Sequence, residues 1–167
     1  MSEAPGRVGA GRRAVALTAS TRAAAGVYPD RSGPVVVARL RAWGFEVGAP
    51  VVVPDGEELG MALREVLASE PDLVVTTGGT GLTPTDRTPE MTAPLLDVVV
   101  PGVSEAFRAA GVAKGVPTAM LSRGLAGISG RTFVVNLPGS RGGVVDALDV
   151  LGPVLGHVLA QIPGGDH

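Results

Sequence analysis

Cysteine is absent from this 167-residue chain, and with it go disulfides, thiolate zinc sites and thiol nucleophiles. That absence suits a reducing cytoplasm, where the protein is expected. Aromatic residues make up only 3% of the sequence, so the core has to be built from Val, Leu and Ala, the palette of buried parallel strands and close-packed helices. Charge is sparse as well. Charged residues make up 18%, the formal net charge is -2 and no Lys/Arg run exceeds two residues, which gives nucleic acid or an anionic membrane nothing to bind. No signal-peptide core opens the chain, and no apolar run approaches the roughly 20 residues of a bilayer span. A small-molecule partner is the expectation that remains.

Short apolar runs alternate with amphipathic ones along the chain. "RAVALTAS" (13–20), "FEVGAPVVVPDG" (45–56), "PDLVVTTGG" (71–79) and "TFVVNLPG" (132–139) read as strands. "PVVVARLRAWG" reads as a helix, with Val36, Val37, Leu40 and Trp43 on one face, Pro34 in its first turn and Gly44 as its stop. "EELGMALREVLAS" reads the same way through Leu59, Ala62, Leu63, Val66 and Leu67. Thr88 can cap a helix over "TPEMTAPLLDVVV", "VSEAFRAAG" is a short helix ended by Gly111, and the closing helix is expected to bend or break near Gly152 and Pro153. The alternation predicts a three-layer α/β/α sandwich with a mostly parallel sheet, one domain over residues 13–165, after a flexible lead-in at 1–12.

In such a sheet ligands sit where strands end and helices begin. The strand ends carry Thr18 to Ser20, then Asp55, then "TTGGTG" (Thr77, Gly78, Gly79, Thr80, Gly81), then Pro138, Gly139 and Ser140. A glycine run there can bare amides to an anion, or can be no more than a tight turn. It lacks the lysine of "GxxxxGK" and the spacing of "GxGxxG". Asp55 and Asp86, expected beyond adjacent strand ends, could hold Mg²⁺ against phosphate oxygens. Asp55 also stands three residues before Glu58, so it could cap the following helix, and Asp86 could be a solvated loop acid. His157 and His167 lie far from these loops in sequence and read as structural or exposed.

"YPDRSGP", "VVPDG", "DLVVTTGGTGLTPTDRTPE", "AMLSRGLAGISGRTFVVNLPGS" and "DVLGPVLGHVLAQIPGG" together resemble the MogA/MoaB family of molybdenum-cofactor biosynthesis proteins, which is similar to the G domain of gephyrin. The resemblance implies a homotrimer that binds molybdopterin and, in active members, moves AMP from Mg-ATP onto its terminal phosphate, with hand-over of the product to a molybdate-inserting protein. It implies that Asp55 and Asp86 are the two acids active members need, with Mg²⁺ as cofactor and ATP as co-substrate. It also implies binding roles for Gly78 to Gly81, Ser122 and Pro138 to Ser140. Two departures stand out: "TAST" where the first loop often carries Ser-Asp, and "PGSRGG" where "PGSPKG" is usual. They leave open a member that binds molybdopterin without transferring AMP.

Overall fold

Six strands form one sheet in the computed structural model, which describes residues 7–164: β1 (Ala14–Ala19), β2 (Val51–Val53), β3 (Leu73–Thr77), β4 (Val98–Val99), β5 (Ala126–Ser129) and β6 (Thr132–Leu137). Their order is β2-β1-β3-β6-β5-β4. The pairs β2-β1, β1-β3 and β3-β6 are parallel, while β6-β5 and β5-β4 are antiparallel. The mostly parallel sheet therefore has a mixed far edge. Neither β4 nor β5 was expected: β4 lies inside a stretch read as helix, and runs this short carry no readable period.

The helices are α1 (Thr21–Ala24), α2 (Gly33–Ala42), α3 (Glu57–Ala68), α4 (Thr88–Thr92), α5 (Pro101–Ala113) and α6 (Arg141–Gln161), with 3₁₀ turns at Ala93–Leu95 and Pro117–Leu121. Successive strand residues point to opposite faces, so Leu73, Val75, Phe133 and Val135 meet α2 and α6, whereas Val74 and Val134 meet Leu59 and Leu63 of α3. Two apolar cores sandwich one sheet, as the alternation predicts.

Four expectations are corrected. The helix over "TPEMTAPLLDVVV" is only α4, one 3₁₀ turn and the strand β4. Gly111 does not end α5; it is buried inside the helix, where a Cβ would stand 2.5 Å from the Ala119 Cβ. The last helix runs through Gly152 and Pro153 unbroken, because Leu148, Leu151, Leu155 and Leu159 are packed in the core on both sides of the proline. By length and composition α6 could cross a bilayer, with a mean hydropathy of 1.5, contrary to the expectation that no run comes close. Its apolar stripe is instead packed in the core over the sheet. Of the expected lead-in, residues 1–6 lie outside the described residues, while Val8 is buried in the core and the Gly9 amide donates to the Trp43 carbonyl at 2.8 Å.

Candidate functional site

Parallel register sets Ala19 beside Val53, Thr18 beside Thr77, and Thr77 beside Leu137. The four chemistry-bearing loops that follow thus leave the sheet along one edge, which is where a ligand meets helix N-termini and free amides. The β3 loop departs in a left-handed conformation, with φ of +90° at Gly78 and +68° at Gly79. Thr88 holds it there: its hydroxyl donates to the Gly78 carbonyl at 2.9 Å and its amide to the Gly79 carbonyl at 3.0 Å. Thr88 is therefore not the helix cap. Arg87 occupies the N-cap of α4, and Thr88 is fully buried beneath the glycine loop.

Asp55 does not cap α3 either, since Gly56 is the N-cap and makes no side-chain bond. Strand β1 lies between β2 and β3, so the two acids do not follow adjacent strands. The loops nonetheless reach across β1: both Asp55 carboxylate oxygens accept from the Arg87 amide, at 3.2 and 3.4 Å, next to Asp86 in the chain. Burial pushes the Asp55 carboxyl above the usual range; the Arg87 and Gly56 amides pull it down, and the charges of Asp86 and Glu90 push it up again. Asp86 folds back on its own loop, its Oδ2 accepting from the Thr83 amide at 3.0 Å and the Thr83 hydroxyl at 2.6 Å.

These acids suit a hard cation. No cluster of three or more His, Cys, Asp or Glu side chains forms a metal cage among the described residues. Mg²⁺ needs none, because it commonly takes one or two carboxylates and completes its shell with water and substrate phosphate. Both acids are half-buried, and Asp55 is destabilised as an anion first by burial and then by the charges of Asp86 and Glu90, a cost that a bound cation would offset.

Two cavities open along this edge. The larger, about 640 Å³, takes in Gly79, Thr80, Gly81, Asp86, Ser122, Pro138, Gly139 and Ser140, and it extends between α5 and α6 to Phe107 and Asp146. The smaller, about 460 Å³, takes in Ser20, Thr77, Gly78, Gly139, Arg31 and Arg141. Gly139 lines both. Several expected binding residues have their side chains already engaged: the Thr77 hydroxyl donates to the Pro138 carbonyl at 2.6 Å, Ser122 donates to Thr80 at 3.1 Å, and Ser20 and Ser140 cap α1 and α6. The Thr77 and Ser122 protons are committed within the protein, whereas Ser20 and Ser140 cap by accepting and keep a hydroxyl proton to donate.

Residues the sequence did not point to complete the wall. Asp30 accepts from the Thr18 hydroxyl and the Ser32 and Gly33 amides, and Ser32 in turn donates to the Gly139 carbonyl at 2.6 Å. "YPDRSGP" thus braces the β6 loop across 107 residues of chain. Only the turn formers Pro29, Asp30, Ser32 and Gly33 within it could have hinted at this. Neither cavity includes His157, and His167 lies outside the described residues.

Asn136 is a structural member of the site. Its amide nitrogen donates to the Thr76 and Thr92 hydroxyls at 2.9 and 3.1 Å, and its oxygen accepts from the Leu125 amide at 3.0 Å, all at 2% exposure. Asn136→Ala leaves those partners unpaired and a small void, so unfolding free energy should fall by about 2–4 kcal/mol in a denaturant titration. A loss under about 0.5 kcal/mol, the range of an ordinary surface change, would contradict this account.

A family model described as "Probable molybdopterin binding domain" matches residues 15–157. The chain is 40% identical over 159 residues to a "Molybdenum cofactor biosynthesis bifunctional protein" of Synechococcus elongatus, covering 95% of this chain and 50% of that one. It spans about half the length of that relative. It is 35% identical to a "Molybdopterin adenylyltransferase" of Helicobacter pylori, covering 89% of this chain and 86% of the relative. Among solved structures it superposes on the molybdopterin biosynthesis Mog protein of Mycobacterium ulcerans with a TM-score of 0.86 and 51% identity, over 90% of this chain and 99% of that one.

Proposed function

Because this chain belongs to the family of probable molybdopterin-binding domains, we propose that it acts in molybdenum cofactor biosynthesis as a molybdopterin adenylyltransferase, as one domain spanning residues 13–165. The observation that carries this reading is the pair of cavities that share Gly139, the larger lined by Asp86 and by Gly79 to Gly81, with the Asp55 carboxylate packed against Gly79 just outside both linings. Two phosphate-bearing substrates need two pockets that share a wall. A terminal phosphate oxygen of molybdopterin attacks the α-phosphorus of ATP, the bond from that phosphorus to the bridging oxygen breaks, and pyrophosphate leaves with the electron pair. No covalent enzyme intermediate is needed.

The chain contributes position and field. The Gly78 amide is spent on the Leu137 carbonyl at 3.2 Å, so the left-handed turn at Gly78 and Gly79 leaves the amides of Gly79 to Gly81 for phosphate at the β3 end. Asp55 and Asp86 would hold Mg²⁺, which when bound supplies charge neutralisation between the two anions. Arg141, which lines the smaller cavity and has no ion-pair partner among the described residues, is a cation for the same purpose, whereas Arg87 stands 4.0 Å from Glu57 on the surface. Within "TAST" the Thr18 hydroxyl donates to Asp30 at 2.9 Å, so a carboxylate from a neighbouring loop stands at the end of β1.

With this chemistry go a cytoplasmic location, for which the cysteine-free composition speaks, and hand-over of the product to a molybdate-inserting protein. A homotrimer fits the exposed apolar Val98 and Val99, which leave the edge strand β4 open to another copy. Incubation with molybdopterin, ATP and Mg²⁺ should yield adenylylated molybdopterin and pyrophosphate, resolved by chromatography. Molybdopterin binding without any product would instead favour a family member that only carries the pterin.

A further inference from the structure

Arg123 stands between the second 3₁₀ turn and β5, with every part of it turned toward one loop. Its amide donates to the Thr80 carbonyl at 2.9 Å, Nε donates to the Gly81 carbonyl at 2.8 Å, and Nη2 donates to the Asp86 carbonyl at 2.8 Å. Nη1 pairs with the Glu90 carboxylate. A single planar group thus grips both ends of the loop that carries Asp86 and anchors the far side at Glu90. The donors of a guanidinium are fixed relative to one another, so they set the separation of the Gly81 and Asp86 carbonyls; an ammonium, a single point of charge, cannot. Since these donors are engaged, Arg123 is not the phosphate grip that a basic residue beside the loop suggests.

We propose that Arg123 is a positioning residue that holds the Asp86 carboxylate in place for a cation-nucleotide complex by clamping the carbonyls of Gly81 and Asp86. The proposal rests on the adenylyltransferase reading for its ligand, Mg-ATP, but its geometry stands without it. Glu90 orients the guanidinium from the surface and is the dispensable part of the clamp, because the Gly81 and Asp86 carbonyls are held by Nε and Nη2 while Glu90 takes only Nη1.

The test is a double-mutant cycle on Mg-ATP affinity, measured by calorimetry on the full chain, with amide hydrogen exchange as a readout that needs no ligand. Arg123→Lys should weaken Mg-ATP binding about tenfold, as loss of a group that orients a metal ligand typically does. In an Asp86→Asn background the same change should have little further effect, because the group it positions is gone. Exchange at the Thr83 and Asp86 amides, which bond within the loop, should quicken in Arg123→Lys while exchange in β3 and β6 stays as in the wild type. Glu90→Gln should retain binding within about threefold, a surface ion pair being weak. Losses from Arg123→Lys and Asp86→Asn that multiply, or Arg123→Lys with wild-type affinity and exchange, would overturn the proposal. Should Arg123→Lys not fold, Arg123→Gln, whose two N–H donors share a single nitrogen, goes through the same cycle. If the wild type binds Mg-ATP but forms no adenylylated product, the adenylyltransferase reading fails while the positioning role is still decided by the cycle.

Discussion

Asp55→Asn is expected to cut adenylyl transfer by about 10²-fold or more and, at neutral pH, to make the ligand-free protein more stable. The first effect follows from removing one of the two carboxylates beside the glycine loop. The second follows from what burial does to that carboxylate. Its folded-state pKa is raised, with burial the largest cause, so the ionised form is worse off folded than unfolded. In the interval between the unfolded pKa of about 3.8 and the raised folded value, the folded chain binds more protons, so stability falls as pH rises through that interval and stays at the lower level above it. Asn carries no such charge and still accepts from the Arg87 amide, so the melting temperature of the variant should exceed that of the wild type at pH 7, with the difference vanishing below about pH 3.8. Mg²⁺ with nucleotide should reverse the order, stabilising the wild type alone, because only it holds the cation. Equal melting temperatures across pH would show that burial of this carboxylate is not the cost inferred here. Full activity in the variant would remove Asp55 from the site.

Gly79→Ala is expected to lose both stability and activity. At φ of +68° an alanine is strained whatever the space around it, and here there is none. Its Cβ would stand 2.2 Å from the Thr88 Oγ1 and 2.4 Å from the Asp55 Oδ2. Neither neighbour can simply yield: Thr88 is fully buried and pinned to Gly78, while Asp55 is tied to the Arg87 amide. Strain and displacement together should lower the unfolding free energy by about 1–3 kcal/mol. Moving Asp55 by the ångström or so required should lower kcat/KM for Mg-ATP on the order of 10²-fold. Circular dichroism melts and steady-state kinetics measure the two losses. A variant that melts like the wild type and turns over normally would mean the loop rearranges without strain, and that the contact between Gly79 and Asp55 has no functional weight.

Much of the architecture was legible because it depends on local periods. Apolar runs at strand length, apolar stripes at helical spacing and the glycines that stop them place β1, β3, β6, α2 and α3 without any knowledge of their neighbours. Elements whose existence depends on partners were not legible: β4 is two residues held by β5, and α6 survives its proline because core contacts hold it on either side. The caps misled for the same reason. Asp55 three residues before Glu58 and Thr88 before Pro89 both satisfy a capping pattern, yet Asp55 meets the Arg87 amide of another loop and Thr88 reaches back ten residues to the Gly78 carbonyl. Local spacing cannot weigh a competitor that arrives from elsewhere in the chain.

By itself the sequence determined the inventory of the site: glycines where amides must be bare, two acids that follow strands, small polar loops at every strand end, and motifs specific enough to name the family. The tertiary structure decided the assignments. It drew Asp55 across β1 to the loop of Asp86, made Thr88 a pin and Arg123 a clamp, engaged the hydroxyls of Thr77, Ser122 and Ser140 within the protein, and opened two cavities that meet at Gly139. The reason is the parallel register. A residue's type and its place after a strand are properties of the chain, but which loop it faces is set by the strand order β2-β1-β3-β6, through pairings 34 to 60 residues apart that no local pattern encodes.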